Sequence, residues 1–398
     1  MKTYRTNWLI VLIALSLAVG CASSPDREAP QEQRELPQQP VDYRGAQMDQ
    51  PEAEDPEEPE PEDESWMGLR FEKLATDDED SAVYPMQAPA MVYDAANEQV
   101  VMVAGGVLQG SSSDPQTLVF DGSTWSVGAD ADDTPVEAGA RTIGADPGLD
   151  RVVMLNREGQ TWGWDGDQWE KLDDGEESSP SFESVPTVEG VGDEALSVSG
   201  TVPVVDEAGE RLVVVDDDGA SWAFDGERWD KIIDADDGPG ARVGHAMAYH
   251  PEHQRVVLYG GIRQGDDDAH RLSDTWLLEE DDGDDRWTKL VVDDGPPPLA
   301  GHTLVYDPRV EHSLLIGGNA ESESDEPPPP VVWAFDGEQW TETDLATPGV
   351  DGTDGGRTWH GAVFDEARDQ LVLFGGIAAD DRRLTLFWDT LALEQKSE

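Results

Sequence analysis

From about residue 66 onward, apolar and polar residues alternate in short runs bounded by Asp, Gly and Asn. A period of two over runs this short predicts half-buried β-strands rather than helices. Four of the runs close on the same phrase, an aromatic, Asp-Gly, two residues and Trp. The copies are Phe120-Asp121-Gly122 with Trp125, Trp164-Asp165-Gly166 with Trp169, Phe224-Asp225-Gly226 with Trp229, and Phe335-Asp336-Gly337 with Trp340. Asp-Gly between alternating runs predicts a two-residue hairpin turn with positive φ at both centres. On that count Trp162 faces Trp169, Trp222 faces Trp229, Trp333 faces Trp340 and Leu118 faces Trp125, and Trp164 faces Asp167. Aromatic cross-strand pairs of this kind contribute roughly 0.2–1 kcal/mol each over Ala–Ala. Recurrence every several dozen residues predicts a repeat protein, in which each repeat covers the apolar face of its neighbour.

Aligned from their first strands, the repeats number six. An apolar strand ends in a Tyr/Phe-Asp type pair, turns, and continues as a second apolar strand that runs into Gly-Gly. The clearest copies are Met91–Asp94 with Val100–Val103, Ala246–Tyr249 with Val256–Tyr259, Leu304–Asp307 with Leu314–Ile316, and Ala362–Asp365 with Leu371–Phe374. The second and third repeats keep the strand (Arg151–Asn156, Arg211–Asp216) without the Gly pair. Third strands carry phrases such as Asp274-Thr275-Trp276, and fourth strands carry the later Trp. These residues resemble the bacterial kelch repeat of the galactose-oxidase-like superfamily, and the resemblance covers about residues 66–398. It implies an all-β, six-bladed propeller of four-stranded blades. The last repeat stops after Asp389–Leu393 without a fourth strand, while Arg70–Leu74 matches the fourth strand Arg286–Leu290. The N-terminal strand is therefore expected to complete blade six and close the ring, which removes the open sheet edges.

The residues ahead of the repeats read differently. Lys2 and Arg5 precede an apolar run, Trp8–Val19, too short and wrongly flanked for a spanning helix, so residues 1–20 read as a secretory signal. The run ends Leu17-Ala18-Val19-Gly20-Cys21, which resembles a bacterial lipobox, with Ala18 where Leu is commoner. That resemblance implies lipidation of Cys21, the only cysteine in the chain, and membrane attachment as an outer-membrane lipoprotein of the cell envelope, facing either periplasm or exterior. Residues 21–65 are rich in Pro, Gln, Glu and Asp; such a segment cannot bury enough surface to fold and is expected to act as an extended tether. With a single cysteine, no disulfide can form within the chain.

Formal net charge is −61, from 87 acidic and 26 basic residues. Residues 22–65 hold 15 of the acids and 3 of the bases, so most of the excess falls on the propeller. Nucleic-acid binding is excluded as an expectation, because phosphate contacts need a basic patch and none is found. Self-repulsion of this size is relieved by salt, so the surface reads as adaptation to a salty medium, with inorganic cations as possible surface partners.

Turns between first and second strands have equal length, and most turns between third and fourth strands are Asp-Gly, so one face of the disc is expected to be plain. The other face is expected to carry long loops at Val107–Pro115, Ile262–Ser273, Asn319–Pro330, Ile377–Arg383 and Asp173–Glu194. Long loops on a rigid scaffold tend to carry function. On the same side, the starts of the first strands place Pro89, Arg141, Thr201, His245, His302 and His360 at the channel, with Arg242 and Arg357 three residues before two of the histidines. Arg141, Arg242, His245, His302, Arg357 and His360 are the candidate ligand-binding residues, for an anion or sugar. The alternatives are a packing role, which kelch-like blades give to Arg-x-x-His, and a metal site. His250, His253, His270 and His312 fall in turns or loops without a spacing of interest.

No catalytic constellation, cofactor motif, phosphate-binding Gly loop or spaced calcium loop is found. The Cys–Tyr crosslink used by galactose-oxidase-like enzymes is excluded, since Cys21 lies in the signal region. Three readings follow: a tethered, monomeric, non-catalytic scaffold recognising a protein or glycan through the long-loop face; a carbohydrate-active enzyme of sugar isomerase or mutarotase type with its site in the channel; or a salt-stabilised structural envelope protein.

Overall fold

The computed structural model describes residues 66–74, 89–108, 111–130, 132–135, 141–146, 151–156, 159–175, 179–180, 182, 187–189, 195–197, 203–263, 270–281, 283–292, 294–320, 331–346, 357–380 and 383–395. The chain divides into two compact units, Met1–Pro61 and Glu62–Glu398. The first unit, with the expected signal segment, Cys21 and most of the tether, lies outside the described residues.

The second unit is a six-bladed β-propeller, each blade an antiparallel four-stranded meander. Blade one consists of Ala90–Asp94, Gln99–Leu108, Ser111–Phe120 and Trp125–Ala129; blade two of Arg141–Asp146, Arg151–Asn156, Thr161–Trp164 and Trp169–Asp173. Blade three follows with Val204–Asp206, Arg211–Val215, Ser221–Phe224 and Trp229–Ile233, and blade four with Ala246–His250, Arg255–Tyr259, Thr275–Asp281 and Asp284–Leu290. Blade five is built from Thr303–Asp307, His312–Ile316, Val331–Phe335 and Trp340–Ala346. Blade six takes Gly361–Asp365, Gln370–Phe374 and Thr390–Gln395 from the C-terminal end, and its fourth strand, Leu69–Lys73, from the other end of the chain. Phe71 stands opposite Leu393 as Trp287 stands opposite Leu278, so the expected ring closure is observed. Leu69 pairs with Gln395 at the end of the blade that carries the Asp-Gly turns elsewhere, so the chain enters the propeller there.

Second strands are the most apolar and the best buried. Val100–Val103, Val256–Tyr259, Leu314–Ile316 and Leu371–Phe374 are wholly inaccessible, because both of their faces are covered by neighbouring blades. The core is divided accordingly into clusters that straddle the seams: Met91, Val100 and Phe120 of blade one pack with Val372 and Phe374 of blade six.

The Asp-Gly turns differ from the two-residue hairpin expected. The aromatic of each phrase faces its own Trp: Phe120 opposite Trp125, Trp164 opposite Trp169, Phe224 opposite Trp229 and Phe335 opposite Trp340. Trp162, Trp222 and Trp333 lie opposite Lys171, Lys231 and Glu342, and Leu118 opposite Val127. The turn thus spans four residues and the register is moved by two. The cause is the aspartate side chain, which accepts hydrogen bonds from the backbone N–H groups two and three residues on, at 2.8 Å for both in Asp121 and at 3.0 and 2.9 Å in Asp165. Those bonds hold the Asp121 and Asp165 carboxyls below their usual range, and in Asp225 and Asp336, where burial acts to raise the carboxyl, they outweigh it together with nearby positive charge. Only the glycine of each pair takes positive φ, between 94° and 104°. It also lies where the adjacent blade's first turn packs: a Cβ at Gly122, Gly166 or Gly337 would run into Arg368, Asn97 or His253.

The tryptophans tie blade to blade. The indole N–H of each fourth-strand Trp donates to a hydroxyl on the preceding blade's third strand: Trp125 to Thr390 (2.9 Å), Trp169 to Thr117 (2.8 Å), Trp229 to Thr161 (2.9 Å), Trp287 to Ser221 (2.8 Å) and Trp340 to Thr275 (2.9 Å). The sixth joint replaces both partners at once. Phe71, which has no donor, stands where the Trp would be, and Val332 where the hydroxyl would be; both belong to one apolar cluster. Leaving a buried hydroxyl unpaired costs about 1–3 kcal/mol, whereas replacing both partners by apolar groups can be nearly neutral. Trp229→Phe alone is therefore expected to lower stability by about that amount, and Thr161→Val in the same chain to recover part of it. Urea unfolding of the two single variants and the double variant measures the coupling, which should be about 1 kcal/mol; additive losses would show that the pair does not act as one joint.

On the face expected to carry long loops, the crown, the described residues form short ladders at several of those places. In blade one the second and third strands stay paired as far as Leu108 and Ser111. In blade six Ile377–Asp380 pairs with Arg383–Leu386, and in blade four Ile262 bridges to Arg271. Residues 321–330 of blade five lie outside the described residues. Between blades two and three, Thr187–Glu189 pairs with Ala195–Ser197. Backbone groups that loops would leave to solvent are paired within these ladders.

Candidate functional site

The crown end of the axis is built from the lead-in to each first strand. In blade four Arg242–Val243 pairs with Ile262–Arg263, in blade five Leu299–Ala300 pairs with Asn319–Ala320, and in blade six Thr358 bridges to Ile377. The lead-ins also bond to each other around the axis: the Gly301 N–H donates to the Gly244 carbonyl at 2.9 Å, and the Trp359 N–H to the Gly301 carbonyl at 2.7 Å. Each lead-in delivers one histidine against a Gly-Gly pair. A Cβ on Gly261, Gly318 or Gly376 would meet the backbone or Cβ of His245, His302 or His360 of the same blade. A Cβ on Gly260 or Gly317 would meet the ring of His302 or His360 from the following blade. The Gly pairs are the space that the imidazoles occupy.

All three rings are buried, each 4% exposed. His302 Nε2 lies 3.2 Å from the Tyr259 carbonyl of blade four, and His360 Nε2 lies 2.9 Å from Thr303 Oγ1 of blade five. Neither nitrogen of His245 makes a hydrogen bond of normal geometry, although the Arg242 carbonyl is near enough to favour its charged form. Burial dominates and pushes His245 down to about 3, with the Arg242 and His302 charges acting in the same direction. Burial likewise takes His302 to about 4, and burial with the Arg357 charge takes His360 to about 3. At neutral pH the three are uncharged, and His302 and His360 are wedges between blades.

The two arginines are consumed as well. Arg242, 1% exposed, donates to both oxygens of Asp274 at 2.8 and 3.2 Å, to the Gly260 carbonyl at 2.9 Å and to the Pro239 carbonyl. Burial alone would raise the Asp274 carboxyl; the bonds and charge of Arg242, with Trp276 and Lys289, outweigh it and hold the group below its usual range. Arg357, 1% exposed, donates to the Gly375 carbonyl at 3.1 Å, pairs with Asp389 at 2.9 Å and lies 4.0 Å above the Phe387 ring. In both blades the arginine clasps the aspartate that opens the third strand. That aspartate was the partner not anticipated, although the recurring Asp-Thr of Asp274-Thr275 and Asp389-Thr390 carried the signal.

Arg141 opens the first strand of blade two opposite Asn156; its side chain lies outside the described residues, as does Thr201. Among the described residues no three metal-ligating side chains converge. The crown does expose one large aromatic that sequence reasoning passed over: Trp388, 55% exposed, between the clasped Phe387 and Asp389.

Comparison with known proteins agrees with a propeller and goes no further. No family model matches the chain. Serine/threonine-protein phosphatase BSL2 of Arabidopsis thaliana is 27% identical over 291 residues, covering 70% of this chain and 25% of that protein. Multiple epidermal growth factor-like domains protein 8 of Rattus norvegicus is 32% identical over 159 residues, 37% of this chain and 5% of its own length. The chain thus spans a quarter or less of these curated relatives. Among solved structures, a fungal alcohol oxidase of the AA5 family in complex with copper superposes with a TM-score of 0.50 at 15% identity, over 78% of this chain and 63% of that one. Likeness at this level concerns the fold alone.

Proposed function

We propose that the protein is a non-catalytic binding scaffold, held at a membrane through a lipid on Cys21, that recognises a protein or glycan partner with the crown end of its propeller. One observation carries the reading. The arginine and histidine side chains best suited to chemistry at the axis are spent on internal contacts: Arg242 on Asp274, Arg357 on Asp389, and His302 and His360 on the neighbouring blade. Acid–base catalysis needs a titratable group within reach of a substrate proton, and buried neutral wedges do not supply one. The crown, by contrast, offers Trp388, and exposed aromatics of this kind anchor interfaces. The kelch resemblance and the strong negative charge fit this reading: charge of one sign steers a partner of the opposite sign and is screened by salt.

The test uses the full-length protein. Incubation with a panel of glycans, followed by NMR of the anomeric and ring protons, is expected to show no turnover. Turnover that disappears in Arg141→Ala with an unchanged melting curve would overturn the scaffold reading in favour of a carbohydrate-active enzyme. Cys21→Ala is expected to move the protein from the membrane fraction to the soluble fraction, and retention in the membrane would refute the anchor.

A further inference from the structure

The first strands of five blades end in aspartate: Asp94, Asp146, Asp206, Asp307 and Asp365. Asp94, Asp206 and Asp307 accept hydrogen bonds from backbone N–H groups of the turns that follow. Blade four carries His250 at this place. Its ring is fully buried, and neither nitrogen has a hydrogen-bond partner. It stands edge-on to Tyr306 at 5.1 Å and to Phe335 at 6.4 Å, both from blade five, and at 5.0 Å from His253 of its own turn. His253 in turn lies over Gly337 of blade five. The crown end of the same seam is filled by His302, wedged on Gly260 with Nδ1 unpartnered. All seven histidines of the chain fall between residues 245 and 360, in the half of the ring formed by blades four to six.

We propose that the seam between blades four and five is an acid-opened joint, kept shut by neutral His250 at the Asp-Gly end and by neutral His302 at the crown end. An imidazolium at His250 would be a buried charge without an acceptor, and one at His302 would have only the Tyr259 carbonyl on one nitrogen, 3.2 Å away; a protein avoids such a charge by moving the group into water. Around His250 the charges are mostly of the wrong sign to help: His253, His312 and Arg255 oppose its protonation, and Asp336 of blade five favours it. Glu207, Glu252, Asp307 and Glu311 surround Tyr306. Around His302 the Tyr259 carbonyl favours the charged form and burial opposes it, while a charged His302 would in turn oppose protonation of His245 and His360. Burial therefore pushes both His250 and His302 down to about 4, below the ordinary histidine value. The opened seam binds more protons than the closed one, so closure loses stability as pH falls below about 6.5 towards about 4. Opening is local, since the described residues of blades one to three contain no histidine.

Hydrogen exchange of the full-length protein at pH 7 and pH 5, corrected for intrinsic rates, reads this directly. Amides in 251–260 and 335–340 are expected to lose protection at least tenfold at pH 5, while those in 151–156 and 161–169 of blade two hold theirs. His250→Asn and His250→Asp, the latter the residue found in other blades, are expected to retain protection in 251–254 and 335–340 at pH 5. Equal loss in blade two, no loss at the seam, or the same pH dependence in both variants would overturn the proposal. NMR titration of the wild-type imidazoles stands independently of the variants. His250 titrating near pH 6.5 with the seam still protected would overturn it too.

Discussion

Removal of residues 1–74 is expected to abolish cooperative unfolding and to make the protein associate, whereas removal of residues 1–65 is expected to leave the melting curve unchanged. The shorter truncation spares the strand Leu69–Lys73; the longer one removes it and bares Thr390–Gln395 as a sheet edge. That edge carries Leu391 and Leu393, 6% and 0% exposed in the closed ring, and a row of unpaired backbone groups suited to pairing with another chain. Leu69, fully buried, leaves the same cluster as Val332 and Leu373, and loss of one such side chain alone costs about 2–5 kcal/mol. A permuted chain separates edge exposure from any other effect of truncation. Gln395 and Leu69 are paired partners at the Asp-Gly end, so a four-residue Asp-Gly turn between them, with the new N-terminus ahead of blade one, recreates an ordinary third-to-fourth hairpin. This permutant is expected to melt cooperatively and as a monomer on size-exclusion chromatography. Aggregation of the permutant, or cooperative monomeric melting of the chain lacking residues 1–74, would show that closure does not hold the ring.

Arg242→Ala is expected to lower stability by about 3–5 kcal/mol in urea unfolding, the usual cost of breaking a buried ion pair by removing one partner. The side chain is 1% exposed, and its loss strands the Asp274 carboxylate, 8% exposed, together with the Gly260 and Pro239 carbonyls. Among the described residues Asp274 then retains Trp276 at 2.8 Å and Lys289 at 3.5 Å. Removing the stranded charge as well, in Arg242→Met with Asp274→Asn, is expected to recover more than half of the loss, since much of the cost is desolvation of the remaining carboxylate. A change under 1 kcal/mol for the single variant would mean that the clasp is replaced by water. The same experiment bears on function: an arginine whose loss unfolds the blade is a structural group, and ligand binding need not be invoked to explain its presence.

Much of the fold was legible because its signals are local or are repeated. Strand periodicity, the equal first turns and the likeness of Arg70–Leu74 to Arg286–Leu290 located six blades and the closing strand correctly. The Asp-Gly register was not legible from turn propensity, because the aspartate side chain recruits two further backbone N–H groups and lengthens the turn. The axis was legible in position and not in use. Spacing placed Arg242, His245, His302, Arg357 and His360 at one end of the disc. Whether an arginine faces solvent or an aspartate 32 residues away is decided by blade packing, which no spacing reports. His250 was passed over as a turn residue; the aspartates at the same place in the other blades were the available signal.

The sixth joint, where Phe71 and Val332 replace the indole and hydroxyl, constrains how such a ring can change its number of blades. Each blade presents a donor on one flank and an acceptor on the other, except blade six, whose donor flank is apolar, and blade five, whose acceptor flank is apolar. Any unit copied from blades one to four can be inserted beside another of the same kind and find its hydroxyl. A second copy of blade five placed in the same way would set Trp340 of the copy against Val332 of the original, with an indole N–H buried and unanswered. Growth or shrinkage of the array by duplication is thereby steered away from the point at which the two chain ends meet.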